Sequence, residues 1–262
     1  MSLFTLYGLE HLMIYYNEFN KESAAMLSQM INDGLLPDGK VDTRPIQEVT
    51  PNDLQEYTQC HFFAGIGGWQ YALQLAQWPE DRPVWTGSCP CQPFSAAGRQ
   101  NGKADERHLW PVWNRLIGQC RPATIFGEQV ASAVAHGWLD DVYEGLEAQG
   151  YAVGSVVLPA SAVGAPHKRD RLWFVAHTDS EGLQRYRRFK QRNGEERRKN
   201  SQRHNWSNGE WIDCPDGKAR LVEPSIPLLV NGFQHRKPIL HAIGNAIVPQ
   251  VAAEFIKAFM SS

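Results

Sequence analysis

The sequence predicts an α/β protein with a doubly wound, mostly parallel sheet and a small inserted lobe. Short apolar segments rich in β-branched and aromatic residues alternate with segments of helical periodicity over the first 177 residues. A glycine-rich turn also follows one predicted strand and opens a helix, which is where nucleotide-like ligands bind in such folds. A chain of 262 residues is long enough for one such domain and too short for two full ones.

The predicted elements follow one another along the chain. Residues 12–16 form an apolar strand, residues 22–31 have helical periodicity, and a further strand ends at Asp42. The glycine-rich turn leads into a helix at 69–78, and a last helix lies within 241–260. The other predicted strands are short apolar runs at 60–65, 83–87, 123–127, 151–158 and 171–177. Because strands and helices alternate, we expect the strands to share one sheet.

Charge and periodicity divide the chain into three parts. Residues 1–177 carry the alternation, residues 178–238 are polar and basic with little periodicity, and residues 239–262 form a helix that completes the first part. Residues 183–204 contain nine Lys or Arg and two Glu, although the whole chain has a formal net charge of -2. This asymmetry predicts a polyanion as the partner of the basic segment, and a solvated charged insertion is the alternative.

Composition excludes several classes of protein. No apolar run approaches the roughly 20 residues of a membrane helix, so we expect a soluble protein without membrane contact. The start of the chain contains Glu10 and lacks a basic leader and a cleavage site, which argues against a signal peptide and for the cytoplasm. Five cysteines without framework spacing favour reduced thiols. Since no Cys or His follows Cys89 and Cys91 at ligand spacing, we predict no metal site.

The glycine-rich turn, FFAGIGGW at 62–69, is a candidate ligand site. Its glycines permit a tight turn and close approach of the backbone to a ligand, or simply a close contact between helix and strand. The spacing differs from the dinucleotide motif and no phosphate-loop lysine is present, so neither NAD nor ATP is favoured. A carboxylate at a neighbouring strand end is expected to bind ribose hydroxyls. The best candidate is Glu18, upstream of the turn, and Asp42 at another strand end is a candidate for an adenine amino group.

Two cysteines lie in the segment TGSCPCQPFSAAG, at 86–98. They follow a predicted strand next to the candidate ligand site, where loop residues serve chemistry more often than packing. Pro90 and Pro93 stiffen the chain on both sides of Cys91. The segment therefore predicts a reactive thiol.

Six segments together resemble the DNA (cytosine-5) methyltransferases, in a small, phage-like form. SCPCQPFSAAG is similar to the nucleophile motif of that family, and FAGIGG is similar to its S-adenosylmethionine loop. The further matching segments are DERHLW, GEQV, GAPHKRDRLWFVA and GNAIVPQVAAEF. The matches cover most of the chain outside the basic insertion. Region 178–238 then corresponds to the family's target-recognition region, and it is short.

The resemblance implies a reaction and its catalytic residues. Cys91 matches the nucleophile, whose thiolate adds to C6 of cytosine and lets C5 attack the sulfonium methyl of S-adenosylmethionine. Glu128 matches the glutamate that contacts N3 and the exocyclic amine of the base. Arg169 and Arg171 match the arginines that hold this glutamate and the base carbonyl oxygen. Loss of the C5 proton and β-elimination then free the enzyme, and the target cytosine must rotate out of the duplex.

The resemblance also implies binding residues for the cofactor and for double-stranded DNA. Glu18 would bind the ribose, and Asp42 with Thr43 would bind the adenine edge. The other residues of the expected S-adenosylmethionine pocket are Phe63, Ala64, Gly65, Ile66, Gly67, Gly68, Pro90, Asn245 and Ala246. The expected DNA contacts are Gln92, Ser95, Arg185, Arg187, Arg188 and Lys190. We expect a monomer in a bacterial cell, with a phage or prophage as one candidate source of the gene.

The order of the motifs departs from the family. The ribose and adenine residues precede the glycine-rich turn here, whereas they usually follow it, which predicts a circular permutation of the strands. Glu18 must then lie close to Gly65. A right-handed crossover would also move helix 68–77 to the opposite face of the sheet. Either the helix changes face or the crossover departs from the right-handed rule, and we favour the change of face.

Three residues differ from those that the family usually has. The family usually has asparagine, glutamine and proline in place of Gln129, His167 and Cys89, respectively. The change at Gln129 affects how the neighbouring Glu128 is held in place.

One alternative function is cytosine-5 methylation of tRNA, which also carries a polyanionic backbone. The other is a DNA-binding relative that has lost turnover.

Overall fold

A computed structural model describes residues 14–90, 109–178, 210–213, 219–222 and 244–261. In these residues, one seven-stranded sheet and one two-stranded antiparallel sheet are present. The strands are β1 Ile14–Asn17, β2 Lys40–Asp42, β3 Gln59–Phe62, β4 Val84–Gly87, β5 Thr124–Val130, β6 Ala152–Leu158, β7 Arg171–His177, β8 Glu210–Asp213 and β9 Ala219–Val222. The α-helices are α1 Lys21–Asn32, α2 Gly68–Ala76, α3 Trp110–Cys120, α4 Trp138–Glu147 and α5 Pro249–Met260. The short 3₁₀ helices are Ile46–Glu48, Pro51–Asp53, Ala131–His136 and Ala160–Val163.

The large sheet has the order β2-β1-β3-β4-β5-β7-β6. Its first five strands are mutually parallel, and β7 is antiparallel to both β5 and β6. Helices cover both faces of this sheet. The predicted doubly wound, mostly parallel α/β class is therefore confirmed.

The strand order also agrees with the predicted permutation. β1 and β2 precede β3 along the chain; in the sheet β1 pairs with β3, and β2 forms the edge beyond β1. Glu18 directly follows β1, Asp42 ends β2, and the glycine-rich turn follows β3. Because packing depends on which elements touch rather than on their order in the chain, the sheet tolerates this arrangement.

Side chains of the parallel strands alternate between two apolar layers. Tyr15 and Trp85 point to the layer formed with α3 and α4. Tyr16 and Phe126 point to the opposite layer, which contains α1, α2 and α5. We call this second layer the α2 face. No helix in the described residues is long and apolar enough to cross a membrane.

The expected change of face of helix α2 is wrong. α1 packs Leu27 against β1 on the α2 face, and it leads toward the β2 edge of the sheet. α2 packs Trp69 and Leu73 on the same face, and it leads in the opposite direction, from β3 to β4. The crossover through α2 therefore has the opposite hand to the one through α1. The crossover through α3, which leads from β4 to β5 on the other face of the sheet, has the same hand as the one through α1, so α2 forms the left-handed one.

Packing explains why α2 keeps this face. Its apolar stripe, which includes Trp69 and Leu73, shares a buried cluster with Phe126, Trp173 and helix α5. The opposite face near β3 and β4 is already filled by Trp113 of α3 and by other buried groups. Burial of this stripe is worth several kcal/mol, at roughly 25 cal/mol per Å² of apolar surface. Tertiary packing thus outweighs the preference for a right-handed connection.

His61 links α2 to the sheet. Its Nδ1 lies 2.8 Å from Thr86 Oγ1, its Nε2 lies 2.7 Å from Gln70 Oε1, and its ring stacks on Tyr16. Burial lowers the pKa of His61 to about 4, although the hydrogen bond to Gln70 opposes this shift. The imidazole is therefore neutral in the folded protein at neutral pH.

We expect the folded state to lose stability as the pH falls from 6.5 toward 4, because the unfolded chain then binds a proton at His61 that the folded chain does not. At about pH 4.5 the expected loss from this residue is about 2 to 3 kcal/mol relative to neutral pH. Urea unfolding of the wild type and of His61→Gln at both pH values measures this loss. The variant should show the smaller difference between the two values, and an equal difference in both proteins would contradict the assignment.

Candidate active site

The predicted site residues that the structure describes gather at one edge of the sheet. Glu18 follows β1, Gly65 follows β3, Pro90 lies three residues after β4, and Glu128 lies in the second half of β5. β1, β3, β4 and β5 are adjacent and parallel, so their carboxyl ends meet at this edge. Ligands of open α/β sheets bind at such an edge.

Glu18 lies against the glycine-rich turn, as the permutation requires. Its Oε2 accepts a hydrogen bond from the Gly65 N–H at 2.7 Å, and its Oε1 accepts one from the Asn20 N–H at 2.8 Å. The expectation that Glu18 lies close to Gly65 is confirmed. Burial raises the pKa of Glu18, and the two backbone N–H groups oppose this shift. Each oxygen still has a lone pair that can accept from a hydroxyl, so the carboxylate suits the predicted ribose contact.

The three glycines of the turn have different surroundings. At Gly65 (φ +58°) an added Cβ would meet no atom of the described residues within 4 Å. At Gly67 (φ +86°) it would collide with Leu36, and at Gly68 it would lie 2.9 Å from Cγ1 of Ile247. Gly65 therefore borders open space beside Glu18, whereas Gly67 and Gly68 permit close packing against the protein itself.

Other residues of the expected cofactor pocket flank this turn. Phe63 has a left-handed backbone (φ +52°), which is unusual for a bulky residue and typical of functional turns. Ala64 is buried and its N–H donates to the Asn17 carbonyl, while Ile66 is partly buried. A cofactor that reaches Gly65 would thus meet mainly backbone here. The binding roles of these residues stay predictions.

Asp42 is held in a network of its own. Its carboxylate accepts hydrogen bonds from Tyr15 Oη at 2.8 Å and from Arg44 Nη2 at 2.6 Å. Burial acts to raise its pKa, but these donors outweigh burial and lower the pKa. Arg44 also pairs with Asp53 at 3.1 Å, and Thr43 is exposed. The predicted contact of Asp42 and Thr43 with an adenine edge stays a prediction.

Glu128 is a buried carboxylate, with 8% of its surface exposed. Its Oε1 pairs with Arg171 Nε at 2.9 Å across the β5–β7 pair. Burial raises the pKa of Glu128, and the charge of Arg171, the hydroxyl of Ser88 and the charge of Arg169 oppose this rise. The raised pKa brings the carboxyl closer to the range in which it can exchange a proton with a bound base.

Arg169 and Arg171 have different partners. Nη2 of Arg169 donates to the carbonyl oxygens of Gly244 and Ala246 at 3.0 and 2.7 Å. Its backbone is left-handed (φ +39°), and its Nε is buried without a hydrogen-bond partner in the described part of the chain. Arg169 therefore ties the segment before β7 to residues 244–246, and among the described contacts the ion pair with Glu128 comes from Arg171. Of the two residues expected near the cofactor in this segment, Asn245 is exposed and Ala246 is partly buried.

Cys89 lies in the interior, 6% exposed, and burial raises the pKa of its thiol strongly. A thiol of this kind is a poor nucleophile. Gln129 Nε2 lies 3.4 Å from the Cys89 carbonyl oxygen, so the unusual glutamine joins β5 to the segment after β4. Pro90 is exposed, and Cys91 follows it outside the described residues.

Other predictions also fall outside the described residues. These are the predicted DNA contacts Gln92, Ser95, Arg185, Arg187, Arg188 and Lys190. Of the predicted target-recognition region, the structure describes only the backbone of β8 and β9.

Sequence reasoning missed two residues of this cluster. Trp69 Nε1 donates to Ser88 Oγ at 3.0 Å, and the Ser88 hydroxyl is hydrogen-bonded to Glu128. Ser88 lies inside the nucleophile-like segment, between the strand and the first cysteine, but a single serine in a turn carries no distinctive signal. Its partners are 19 and 40 residues away in the chain, so only the folded sheet brings them together.

The sheet order and the groups at its carboxyl edge define a doubly wound α/β protein with the layout of a nucleotide-type ligand site. The sequence profile of the C-5 cytosine-specific DNA methylase family matches residues 77–210, just over half of the chain. The type II methyltransferase M.AplI of Arthrospira platensis is 33% identical over 96 residues, which are 36% of this chain and 28% of that protein. M.NlaX of Neisseria lactamica, also a type II methyltransferase, is 32% identical over 132 residues, 49% of this chain and 42% of that protein.

The chain belongs to the C-5 cytosine-specific DNA methylase family. Its matched segments span less than half the length of either of these two relatives. The profile match contains Cys91, Glu128, Arg169 and Arg171, and it begins after the glycine-rich turn. Among solved structures, the methyltransferase EhMeth of Entamoeba histolytica matches with a TM-score of 0.42 at 14% identity, over 63% of this chain and 44% of that one.

Proposed function

We propose that the protein transfers a methyl group from S-adenosylmethionine to C5 of a cytosine that is rotated out of duplex DNA. One observation carries this proposal: the buried Glu128–Arg171 pair lies two strands away from the open turn at Gly65, and the strand between them leads to Cys91. A base held by Glu128 would then lie on one side of this strand end and the methyl donor on the other. Membership of the family and its bacterial relatives support this assignment.

The residues around Gly65 fit the cofactor. Glu18 offers carboxylate lone pairs to two ribose hydroxyls, and the open space at Gly65 lets a ligand approach the backbone closely. The residues at 244–246, tied down by Arg169, border α2 through the contact between Ile247 and Gly68. S-adenosylmethionine supplies an electrophilic methyl group when it is bound here.

The residues near Glu128 fit the cytosine. Attack of the Cys91 thiolate on C6 pushes negative charge onto the ring, chiefly toward N3. A protonated Glu128 can donate a hydrogen bond to N3 and stabilise this charge, and its raised pKa favours that form. Arg171 keeps the carboxyl in place, and a guanidinium beside Glu128 is a suitable donor to the base carbonyl oxygen. C5 would then bond to the methyl carbon as the bond between that carbon and the sulfonium sulfur breaks, with S-adenosylhomocysteine as the leaving group. The C5 proton would pass to solvent, and the bond between the Cys91 sulfur and C6 would break.

Glu18→Ala is expected to weaken S-adenosylmethionine binding by about 10- to 100-fold, because hydrogen bonds to a charged group are worth about 1.5 to 3 kcal/mol. Isothermal titration calorimetry of the full chain measures the dissociation constant without need of turnover. Glu22→Ala is the matched control, since Glu22 is exposed in the first turn of α1. Equal affinity of the Glu18 variant and the wild type would contradict the ribose assignment.

Methyl transfer itself tests the function. The protein is incubated with methyl-labelled S-adenosylmethionine and either mixed-sequence duplex DNA or tRNA, and the nucleosides are analysed. We expect 5-methylcytosine in DNA. Label in tRNA alone would favour the tRNA enzyme, and binding of DNA and cofactor without label in either substrate would favour the non-catalytic relative. We further propose a monomer acting in the cytoplasm of a bacterial cell, without a metal ion.

A further inference from the structure

Three groups from separate elements form a chain of hydrogen bonds behind the base site. Trp69, the second residue of α2, is 2% exposed, and its Nε1–H donates to Ser88 Oγ at 3.0 Å. Ser88 directly follows β4, whose last residue Gly87 pairs with Gly127, so Ser88 lies beside Glu128 of β5, and its hydroxyl acts to lower the pKa of that carboxyl. Arg171 of β7 pairs with the same carboxylate. Groups from four separate elements of the fold, α2, the end of β4, β5 and β7, are thus linked at one carboxyl group.

The chemistry of the three groups fixes the direction of these bonds. An indole N–H can only donate, so Ser88 Oγ is the acceptor in the contact with Trp69. The single hydroxyl hydrogen of Ser88 is then free to point at Glu128, which accepts when it is ionised. Without the indole, the hydroxyl would rotate among several acceptors. The tryptophan therefore restricts the serine to the orientation that serves the glutamate.

We propose that Trp69 and Ser88 are positioning residues, in which the indole N–H orients the Ser88 hydroxyl and this hydroxyl holds the Glu128 carboxylate beside Arg171. The catalytic part of this inference rests on the proposed function of Glu128. The same two residues also connect the base site to the ligand turn, since Trp69 follows Gly65 by only four positions at the start of α2.

The hydrogen bond has a consequence for proton transfer. Burial raises the pKa of Glu128, and the Ser88 hydroxyl and the charge of Arg171 limit the rise. Loss of the hydroxyl removes one donor to the ionised carboxylate, so Glu128 would become a weaker acid and hold its proton to a higher pH. In the proposed reaction this moves the alkaline limb of the pH–rate profile, which reports the protonated glutamate.

Direct titration of Glu128 tests the proposal without any substrate. Glutamate labelled with ¹³C at the carboxyl carbon is incorporated into the full chain, and the Glu128 signal is assigned from its absence in Glu128→Gln. Ser88→Ala is expected to raise the pKa of Glu128 by about one unit, a tenfold change in acidity. Trp69→Phe should raise it by a smaller amount, and Ser88→Thr, which keeps the hydroxyl, should leave it close to the wild-type value.

Two further variants serve as controls for the titration. Ser155→Ala removes a hydroxyl of β6 that contacts Tyr143 of α4, two strands away from β5 in the sheet, and should not change the titration. The double variant Trp69→Phe, Ser88→Ala leaves no indole N–H unpaired, so it tests the effect if Ser88→Ala alone is poorly folded. A Glu128 pKa that is the same in the wild type, Ser88→Ala and the double variant would overturn the proposal, and so would an equal shift in Ser155→Ala.

The outcome is distinguishable from failure of the proposed function. A shifted Glu128 titration in a protein that transfers no methyl group would leave the hydrogen-bonded chain intact and reject the catalytic assignment. Methyl transfer with an unchanged titration would keep the function and reject the positioning role. In an active protein, the alkaline limb of kcat/KM should move to higher pH in Ser88→Ala together with the titration.

Discussion

Cys91→Ala is expected to abolish a covalent adduct with duplex DNA that carries 5-fluorocytosine, whereas Cys89→Ala is expected to retain it. After methyl transfer, fluorine at C5 cannot leave as a proton does, so β-elimination is blocked and the enzyme remains bound through sulfur to C6. The wild type should therefore form the adduct in the presence of S-adenosylmethionine, and a denaturing gel followed by mass spectrometry detects it. Cys89 is buried with a raised thiol pKa, so it should contribute nothing to the reaction.

A third cysteine serves as a further control. Cys120 is half-buried on α3, its thiol pKa is raised, and it lies away from the carboxyl edge of the sheet, so Cys120→Ala should retain the adduct. An adduct that persists in Cys91→Ala, or that disappears in Cys89→Ala when near-ultraviolet circular dichroism shows a folded protein, would reject the assignment of the nucleophile. The small cavity in Cys89→Ala should cost about 1 kcal/mol, which a folded domain tolerates.

Glu128→Gln is expected to lower kcat for methyl transfer by about 10²- to 10³-fold, with a smaller effect on the dissociation constant for S-adenosylmethionine. The amide keeps the size of the side chain and can still donate a hydrogen bond, but it cannot hold the proton that N3 requires. It also leaves the charge of Arg171 without its carboxylate partner. Single-turnover kinetics on duplex DNA separate this loss from changes in substrate binding.

A second glutamate gives the comparison for this prediction. Glu254 lies on α5, where it is half-exposed and pairs with Lys257 at 3.0 Å, so Glu254→Gln should leave kcat unchanged. A reduction of less than about threefold in Glu128→Gln would contradict a role in proton transfer. A change confined to KM would instead indicate that Glu128 only binds the base.

Much of the fold follows from local patterns. The strands of the large sheet and helices α1, α2 and α5 are predicted at nearly their observed positions because apolar residues recur with the period of the element that they form, whereas α3 and α4 were not predicted. The permutation is predictable from the resemblance to the family, which assigns roles to Glu18, Asp42 and Gly65 in an unusual order. Features that depend only on residue type, such as a carboxylate at a strand end, can likewise be identified from the sequence.

The side of the sheet taken by α2 was not predictable in this way. The rule of right-handed crossovers is a statement about average sterics, and here the apolar stripe of Trp69 and Leu73 meets Phe126 and α5 on the other side. The partners of the two arginines were not predictable from the sequence either. Arg169 and Arg171 are two residues apart, and their partners, at 244–246 and at Glu128, come from opposite directions along the chain.

The amino-acid sequence by itself determined the class of fold and the residue types at each strand end, because both depend on periodicity and composition within about 20 residues, and the resemblance to the family predicted the permuted order of the strands. The tertiary structure alone decided the hand of the α2 crossover, the burial that separates Cys89 from a reactive thiol, and the meeting of Trp69, Ser88 and Arg171 at Glu128. Those features arise from contacts between distant segments. The energies of these contacts depend on which surfaces other segments of the chain already cover, so they cannot be inferred from any one segment alone.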